Sequence, residues 1–147
     1  MGSDRDVVIR PARQDDDAAI ARLCGELGYP SSAEATRLRL ARIMASPDQH
    51  VLVAEVAGDV VGLAVLLRAW TINNDEISAR LSTLVVDSSL RGRGLGAALV
   101  AASEIWAREQ GAASLHLTSG SHRPEAHRFY AHLGYLGDGL RFRRKLT

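Results

Sequence analysis

The sequence contains few of the residues that mark specialised classes of protein. Cys24 is its only cysteine, which excludes an internal disulfide and a zinc site built from several cysteines. Lys145 is its only lysine, arginine supplies the other basic residues, and the net charge is +1 at pH 7. This charge balance argues against a general nucleic-acid-binding protein, for which a strongly basic surface is expected.

Long apolar stretches are also missing from the sequence. No run approaches the ~20 residues of a membrane-spanning helix, and no signal-like segment opens the chain. The 147 residues are enough for one domain with a proper core and few for two, and a composition of 46% hydrophobic and 24% charged residues is ordinary for a globular protein. We therefore expect a single domain over residues 1–147, soluble and cytoplasmic.

Residues 79–96 are the stretch around which the chain is organised. Residues 81–86 are aliphatic and β-branched, which predicts a buried strand, and the glycine-rich sequence Arg-Gly-Arg-Gly-Leu-Gly follows at residues 91–96. Apolar residues then recur at helical spacing as far as Gly111, and residues 114–118 predict another strand. The pattern indicates a right-handed βαβ unit with a glycine-rich turn.

The chemistry of this turn favours an anionic ligand. Glycine lets the backbone approach a ligand closely, and the N–H groups at the start of a helix attract negative charge. Arg91 and Arg93 add guanidinium groups that pair with phosphate oxygens. The sequence therefore predicts a phosphate-binding loop; the alternative is a tight strand-to-helix turn that happens to use glycine.

Two nucleotide-binding motifs fit this loop poorly. A Walker A loop ends in Gly-Lys-Ser/Thr, whereas alanine follows Gly96. The dinucleotide fingerprint is met loosely by Gly92, Gly94 and Ala97, but residues 118–121, after the next strand, supply no acid for a ribose.

The remaining elements follow from apolar periodicity and turn residues. Helices are predicted over about 16–27, 32–44 (with Ser31 and Glu34 as a capping box) and 124–134. Strands are predicted over residues 7–10, over 50–56 and 60–67 around the turn at 57–59, from about Glu76, and from Leu140 onward.

The strand before the glycine-rich turn changes character along its length. By alternation, the polar residues from Glu76 to Ser82 share a face that Leu84 and Val86 occupy further on. Such a change is compatible with a β-bulge.

The order and spacing of these motifs resemble the GNAT acetyltransferase superfamily. The turn matches motif A of that family, Arg/Gln-x-x-Gly-x-Gly/Ala, with Arg91, Gly94 and Gly96 in the fixed places. Ile-Arg-Pro-Ala at 9–12, Val-Val-Gly at 60–62, Leu-Val-Val-Asp at 84–87 and Ala-His-Arg-Phe-Tyr at 126–130 are also similar to family segments. The Ala-His-Arg-Phe-Tyr helix and the Arg-Phe-Arg-Arg-Lys-Leu ending look most like aminoalkylphosphonate N-acetyltransferases.

The resemblance implies a fold and a reaction. The fold is the α/β GNAT fold: a mixed, mostly antiparallel central sheet with a splayed parallel pair at the fourth and fifth strands, and helices on both faces. The reaction is N-acetylation, with acetyl-CoA as co-substrate, no metal, and direct transfer through a ternary complex.

The resemblance also assigns roles to residues. A backbone amide near Leu84, within one residue, lies in the family's bulge and polarises the thioester carbonyl, and Tyr130 protonates the departing thiolate. The residues expected to bind the cofactor are Leu84, Val86, Arg91, Gly92, Arg93, Gly94, Leu95, Gly96, Ala97, Ser119 and Phe129. The alternative for Tyr130 is a core aromatic residue with its hydroxyl on a backbone carbonyl.

The general base is the least determined part of the site. Many family members carry a glutamate on the fourth strand where this chain has Arg80, and an asparagine before the last helix where it has Arg123. Glu76 is our predicted base, acting directly or through water, and Asp75 and His116 are its competitors.

The arginines suggest the class of acceptor. Arg80, Arg68 at the end of the third strand and Arg123 at the start of the last helix are predicted to face one cleft and to favour a small amine with an anionic group. The alternative for Arg80 is a pairing with Glu76 or Asp75. Other hypotheses are a catalytically silent acyl-CoA-binding protein and, more distantly, a nucleotide binder. The expected partner is a small-molecule amine, neither nucleic acid nor membrane, and a homodimer is left open.

Overall fold

The computed structural model describes residues 6–118 and 124–147. They form two compact units, Met1–His116 and Leu117–Thr147. The strands are β1 (Val7–Pro11), β2 (Gln49–Val56), β3 (Asp59–Trp70), β4 (Ile77–Val86) and β5 (Ala112–Leu117). The helices are α1 (Asp17–Glu26), α2 (Ala33–Met44), α3 (Leu95–Glu109) and α4 (Pro124–His132), with 3₁₀ turns at Gln14–Asp16 and Ser88–Leu90. Within the described ranges, no helix has the length and apolar character needed to cross a membrane.

The five strands form one mixed sheet in the order β1-β2-β3-β4-β5. The pairs β1–β2, β2–β3 and β3–β4 are antiparallel, and β4 and β5 are parallel. The antiparallel strands alternate in direction along the chain, whereas the parallel pair needs a crossover, which α3 supplies. The fold predicted from the sequence is confirmed.

One face of the sheet packs against α1 and α2. Their buried side chains Ile20, Leu23 and Leu40 meet a row of strand residues, which includes Val53, Leu63 and Val85. Leu23 and Val53 have no exposed surface. Since apolar burial is the dominant favourable contribution to folding, this cluster fixes α1 firmly on the sheet.

The opposite face of the sheet receives α3 at very close range. A Cβ added to Gly62 would lie 2.9 Å from Leu99 Cδ1 and 3.1 Å from Ala54 Cβ. Any larger residue at this position would require Leu99 or Ala54 to shift, so glycine lets α3 pack closely on β3. At the Val-Val-Gly segment, β3 therefore lies between α1 and α2 on one face of the sheet and α3 on the other.

Two predicted details of the chain differ in the structure. The N-cap of α2 is Ser32, not Ser31, because the extended backbone of Ser32 lets its Oγ accept the Ala35 N–H at 3.0 Å. No strand begins at Leu140, since the described residues 133–147 contain none. The alternation of Leu140 and Phe142 is compatible with a strand, but a strand also needs a hydrogen-bonded neighbour, which a local pattern does not specify.

The start of α1 is held by a buried ion pair. Arg10 Nη1 and Nη2 donate to the two carboxylate oxygens of Asp16 at 2.9 and 3.0 Å, and the Arg13 N–H donates to Asp16 Oδ2 at 2.7 Å. Arg10 also donates to Glu55 at 2.9 Å. Asp16 is only 7% exposed. The hydrogen bonds from Arg10 outweigh burial and hold the pKa of the Asp16 carboxyl below its ordinary value.

We expect Asp16→Asn to lower the free energy of unfolding by about 2–3 kcal/mol at neutral pH, because it removes one partner of a buried pair while Glu55 still holds Arg10. A carboxyl whose pKa is lower in the folded state stabilises the protein above its unfolded pKa, and that stabilisation is lost as the pH falls. The difference in the free energy of unfolding between wild type and Asp16→Asn should therefore become smaller below about pH 4. Urea unfolding of both proteins at neutral and acidic pH measures this difference.

The control is Asp15→Asn, since the Asp15 side chain is 85% exposed and lies 3.8 Å from Arg13. We expect it to change stability by less than about 0.5 kcal/mol. A gap between wild type and Asp16→Asn that stays constant on acidification would contradict the account.

Candidate active site

A capped turn (residues 87–90) leads from β4 toward the glycine-rich segment. Asp87 Oδ1 accepts the Ser89 N–H at 3.0 Å and the Ser89 hydroxyl at 2.7 Å. The Asp87 N–H donates to the Val61 carbonyl at 2.8 Å, and the Leu90 N–H donates to the Asp87 carbonyl at 2.9 Å. The bonds from Ser89, followed by Arg22, lower the pKa of the Asp87 carboxyl, so the cap is ionised and intact at neutral pH.

The glycine loop (residues 91–97) follows, with two residues in the left-handed backbone region. Gly92 and Gly94 have φ values of 83° and 79°, and a Cβ added at either would meet no atom within 4 Å. Gly94 is the N-cap of α3 and has no side chain to cap the helix. The backbone is therefore open at Gly92 and Gly94, directly before the N-terminus of α3, and a helix N-terminus favours anions.

The flanking side chains give the glycine loop its charge and its anchor. Arg91 and Arg93 are exposed on either side of Gly92. Leu95 is 4% exposed, Gly96 and Ala97 are half-buried, and the Ala98 N–H makes the first bond of the helix to the Gly94 carbonyl at 3.0 Å. The glycine loop thus carries two exposed guanidinium groups and is anchored at its end by the buried Leu95 side chain.

Helix α1 contacts the capped turn through two residues that the sequence analysis did not identify. Arg22 donates to Asp87 Oδ2 at 2.7 Å and to the Val60 carbonyl at 2.9 Å, and Glu26 Oε1 accepts the Ser88 N–H at 3.1 Å. The only local signal is that Arg22 and Glu26 are four residues apart and so share a helix face. Their partners lie 65 and 62 residues away in sequence.

The predicted bulge in β4 is present, at the point where the strand changes from polar to apolar residues. Val65 is opposite Thr83 and Leu66 is opposite Leu81, so Ser82 is the extra residue. The amide predicted to polarise the thioester carbonyl, near Leu84, follows the bulge along the strand, and its role stays a prediction. The Ser82 hydroxyl donates to the Val65 carbonyl at 3.2 Å, beside the point where the pairing is irregular. Leu84 and Val86 pair regularly with Ala64 and Gly62.

The three candidates for the general base are all exposed. His116 lies on β5. Glu76 does not lie on the polar face of β4 as predicted, because that strand begins at Ile77. The Glu76 N–H instead donates to Asn74 Oδ1 at 2.8 Å, which holds Glu76, with Asp75 before it, in a turn closed by an asparagine side chain.

The predicted convergence of three arginines on one cleft is wrong for Arg68 and Arg80. Arg68 is opposite Ala79 and Arg80 is opposite Leu67, so the two side chains project from opposite faces of the sheet. Arg68 Nε lies 3.2 Å from Asp48 Oδ1, and its Nη1 donates to Gln110 Oε1 at 2.6 Å. Arg80 is exposed. Arg123 lies outside the described residues.

Tyr130 lies on α4, in the unit Leu117–Thr147. Its ring contacts those of Phe129 and Tyr135 edge to face, with centroids 5.1 and 5.9 Å apart. The helix ends in a Schellman motif, in which the Tyr135 N–H donates to the Tyr130 carbonyl and the Gly134 N–H to that of Ala131, both at 3.0 Å. Both aromatic neighbours and the backbone thus hold Tyr130. Ser119 lies outside the described residues.

Across residues 6–118 and 124–147, no three His, Cys, Asp or Glu side chains come together in a way that could hold an ion.

Comparison with known proteins identifies the family. The sequence profile of the acetyltransferase (GNAT) family matches residues 18–135. An aminoalkylphosphonate N-acetyltransferase of Salmonella typhimurium is 31% identical over 133 residues, which are 90% of this chain and 86% of that protein.

Solved structures share the fold at lower identity. A putative acetyltransferase from Agrobacterium tumefaciens has a TM-score of 0.87 at 23% identity, over 94% of this chain and 99% of that one. An aminoglycoside N-acetyltransferase, AAC(6')-Iy in complex with CoA, has a TM-score of 0.84 at 18% identity, over 97% and 96%. The family profile and the relative together show that the chain belongs to the GNAT acetyltransferase family and is an acyltransferase that uses acetyl-CoA.

Proposed function

We propose that this enzyme acetylates the primary amine of a small anionic molecule, by direct transfer within a ternary complex. The observation that carries the proposal is the 31% identity, over 90% of the chain, to a protein named as an aminoalkylphosphonate N-acetyltransferase. Such a substrate joins an amine to a phosphonate. Arg80, exposed on β4, is an arginine that suits an anionic acceptor, because guanidinium pairs bidentately with carboxylate and phosphonate.

The glycine loop holds the pyrophosphate of the co-substrate in this proposal. Acetyl-CoA supplies an acetyl group activated as a thioester. The open backbone at Gly92 and Gly94 and the exposed guanidinium groups of Arg91 and Arg93 fit a phosphate in chemistry and in available space. Ser119 and Phe129 are proposed to complete the binding site.

The chemical step is assigned to three groups. Backbone amides after the Ser82 bulge, with Leu84 as the proposed donor and Val86 beside the pantetheine, polarise the carbonyl; loss of such a donor costs ~10²-fold in kcat. Glu76 accepts the proton of the amine, directly or through water, and its place in a turn leaves it open to solvent. The Tyr130 phenol donates a proton to the sulfur as the carbon–sulfur bond breaks.

A catalytically silent acyl-CoA-binding protein is the second candidate. It is favoured by one observation: β4 carries no carboxylate over Ile77–Val86, and its one ionisable side chain is Arg80. Such a protein would bind acetyl-CoA and release no thiol with any amine.

The cellular setting forms a further part of the proposal. Cys24 is a free thiol, in keeping with the reducing cytoplasm. Trp70, the last residue of β3, and Ile72 beyond it are 73% and 105% exposed, and exposed apolar groups of this size suit contact with a second copy of the chain. Light scattering in solution would establish whether the chain is a dimer.

We expect a panel of amines to separate these possibilities by thiol release and by the mass of the product. Aminoalkylphosphonates and amino acids should be acetylated, whereas spermidine and aminoglycosides should not. Arg80→Ala should raise the KM for the anionic amine about tenfold and leave the KM for acetyl-CoA unchanged, since one charge-assisted pair is lost.

The matched control is Arg42→Ala, on the exposed surface of α2, which should behave as wild type. Efficient acetylation of spermidine or an aminoglycoside, with the anionic amines inert, would overturn the anionic acceptor. CoA binding without thiol release from any amine would instead favour the silent protein.

A further inference from the structure

Helix α1 extends from the core of the protein to the segment that precedes the glycine loop. Ile20 and Leu23 are 5% and 0% exposed and fix the helix against the sheet. Arg22 and Glu26 project from it to the capped turn, where they meet Asp87 and Ser88. One side of α1 is therefore fixed in the core, and two side chains of the same helix contact the capped turn that precedes the glycine loop.

Arg22 joins three elements at a single guanidinium group. Nη1 donates to Asp87 Oδ2 at 2.7 Å while Nη2 donates to the Val60 carbonyl at 2.9 Å. Val60 is the second residue of β3, and the carbonyl of its neighbour Val61 accepts the Asp87 N–H at 2.8 Å. Asp87 is therefore tied to α1 by its side chain and to β3 by its backbone.

Glu26 adds a second bond one helical turn further along. Its Oε1 accepts the Ser88 N–H at 3.1 Å, while Asp87 Oδ1 accepts the Ser89 N–H at 3.0 Å. Two consecutive backbone donors of the 3₁₀ turn thus end on carboxylates, one of them supplied by α1. The turn is fixed in both position and orientation.

We propose that Arg22 and Glu26 are positioning residues, which hold the capped turn so that the glycine loop is ready to bind CoA. This inference rests on the proposed role of the glycine loop in holding the pyrophosphate. The geometry has a simple consequence: the loop is anchored at Asp87 by α1 and at Leu95 by its buried side chain, and the exposed Arg91 to Gly94 lie between. Preorganised donors cost less ordering when the ligand binds.

Charge gives Arg22 a second role. Asp87 is an anion close in sequence to a loop that is proposed to bind phosphates, and its repulsion would weaken such binding. Arg22 contacts that carboxylate directly and offsets its charge. Arg22→Ala would remove both the anchor and this compensation.

The test measures the Kd for CoA by calorimetry, and kcat and KM for acetyl-CoA, in Arg22→Ala and Glu26→Ala. We expect each Kd and KM to rise about tenfold, with kcat at saturating acetyl-CoA within about twofold of wild type, the split expected when only uniform binding is lost. The Arg22 side chain is 49% exposed, so the melting temperature should fall by no more than about 2–4 °C.

Conservative variants distinguish positioning from general destabilisation. Arg22→Lys keeps the charge and one bond to Asp87 and should recover part of the affinity, while Glu26→Gln keeps an acceptor for the Ser88 N–H and should recover most of it. In a double-mutant cycle, Asp87→Asn added to Arg22→Ala should weaken binding less than the sum of the single changes. Arg37→Ala, on the exposed surface of α2, is the control and should bind CoA as wild type does.

The outcomes separate this inference from the proposed function. If wild type binds CoA and folded Arg22→Ala and Glu26→Ala bind it equally well, the positioning role is wrong and the loop assignment stands. If wild type does not bind CoA, the proposed function itself fails. An equal loss of kcat in both variants with KM unchanged would also contradict positioning of the cofactor loop.

Discussion

Tyr130→Phe is expected to lower kcat by ~10²-fold or more while the KM for acetyl-CoA changes little. The proposed role of Tyr130 is to give a proton to the leaving sulfur, and a phenol keeps its proton at neutral pH. Phenylalanine retains the ring that packs on Phe129 and Tyr135, at centroid distances of 5.1 and 5.9 Å. The Schellman motif that ends α4 uses backbone atoms alone and is untouched. The change therefore removes the acid without removing the packing.

Tyr135→Phe is the matched control, because it deletes a hydroxyl from the same aromatic cluster. It should leave kcat within about twofold of wild type. A loss below about threefold in Tyr130→Phe would mean that water or another group protonates the sulfur. A similar loss in both variants would point to packing of α4 instead of acid catalysis.

Gly94→Asp should abolish measurable binding of CoA, a loss of ~10²-fold or more, while the protein stays folded. Aspartate tolerates a left-handed backbone better than most residues, and a Cβ at this position meets no protein atom within 4 Å. The new carboxylate would, however, stand at the N-terminus of α3, where the phosphates are proposed to bind. Calorimetry with CoA, together with the melting temperature of the free protein, measures both effects.

Two controls separate charge from bulk and from backbone strain. Gly94→Asn adds a side chain of the same shape without the charge and should weaken binding less, by about tenfold. Gly58→Asp places the same residue at another open glycine, with φ of 84°, in the β2–β3 turn, and should bind CoA normally. Unchanged CoA affinity in folded Gly94→Asp would show that the glycine loop is not the binding site.

The parts of the fold that depend on residues close together in sequence could be predicted from the sequence. The β2–β3 hairpin follows from its turn residues, since Ala57 and Gly58 both have positive φ, at 53° and 84°, as a tight primed turn requires. Helix α3 follows from its apolar spacing between the glycine loop and Gly111, whose φ is 88°. These signals are local, so one sequence is enough to find them.

The register of β4 could be predicted only in part. The change from polar to apolar residues indicated a bulge, but its position depends on how β4 pairs with β3, and the hydroxyl of Ser82 bonds to a strand that is distant in sequence. The faces on which Arg68 and Arg80 lie depend on the same pairing. Arg68 is opposite Ala79 and Arg80 is opposite Leu67, so the two side chains project from opposite faces of the sheet.

The candidate site also combines features that local sequence predicts with contacts between residues that are distant in sequence. The sequence of the glycine loop carries its own signal, because left-handed residues there require glycine and the charges lie beside them. The contacts of Arg22 and Glu26 with the capped turn bridge more than sixty residues, and the sequence shows only that the two residues share a helix face. Contacts of this kind depend on how α1 packs on the sheet, which only the folded structure reveals.

The most direct test of the central claim, that the glycine loop binds CoA, is a comparison of ligands on the wild-type protein. CoA, acetyl-CoA, ATP and NAD would each be titrated while the melting temperature is recorded. The account predicts that CoA and acetyl-CoA raise the melting temperature in a concentration-dependent way and that ATP and NAD leave it unchanged, because only a ligand that binds the folded state stabilises it. Stabilisation by ATP or NAD, with none by CoA, would contradict the account.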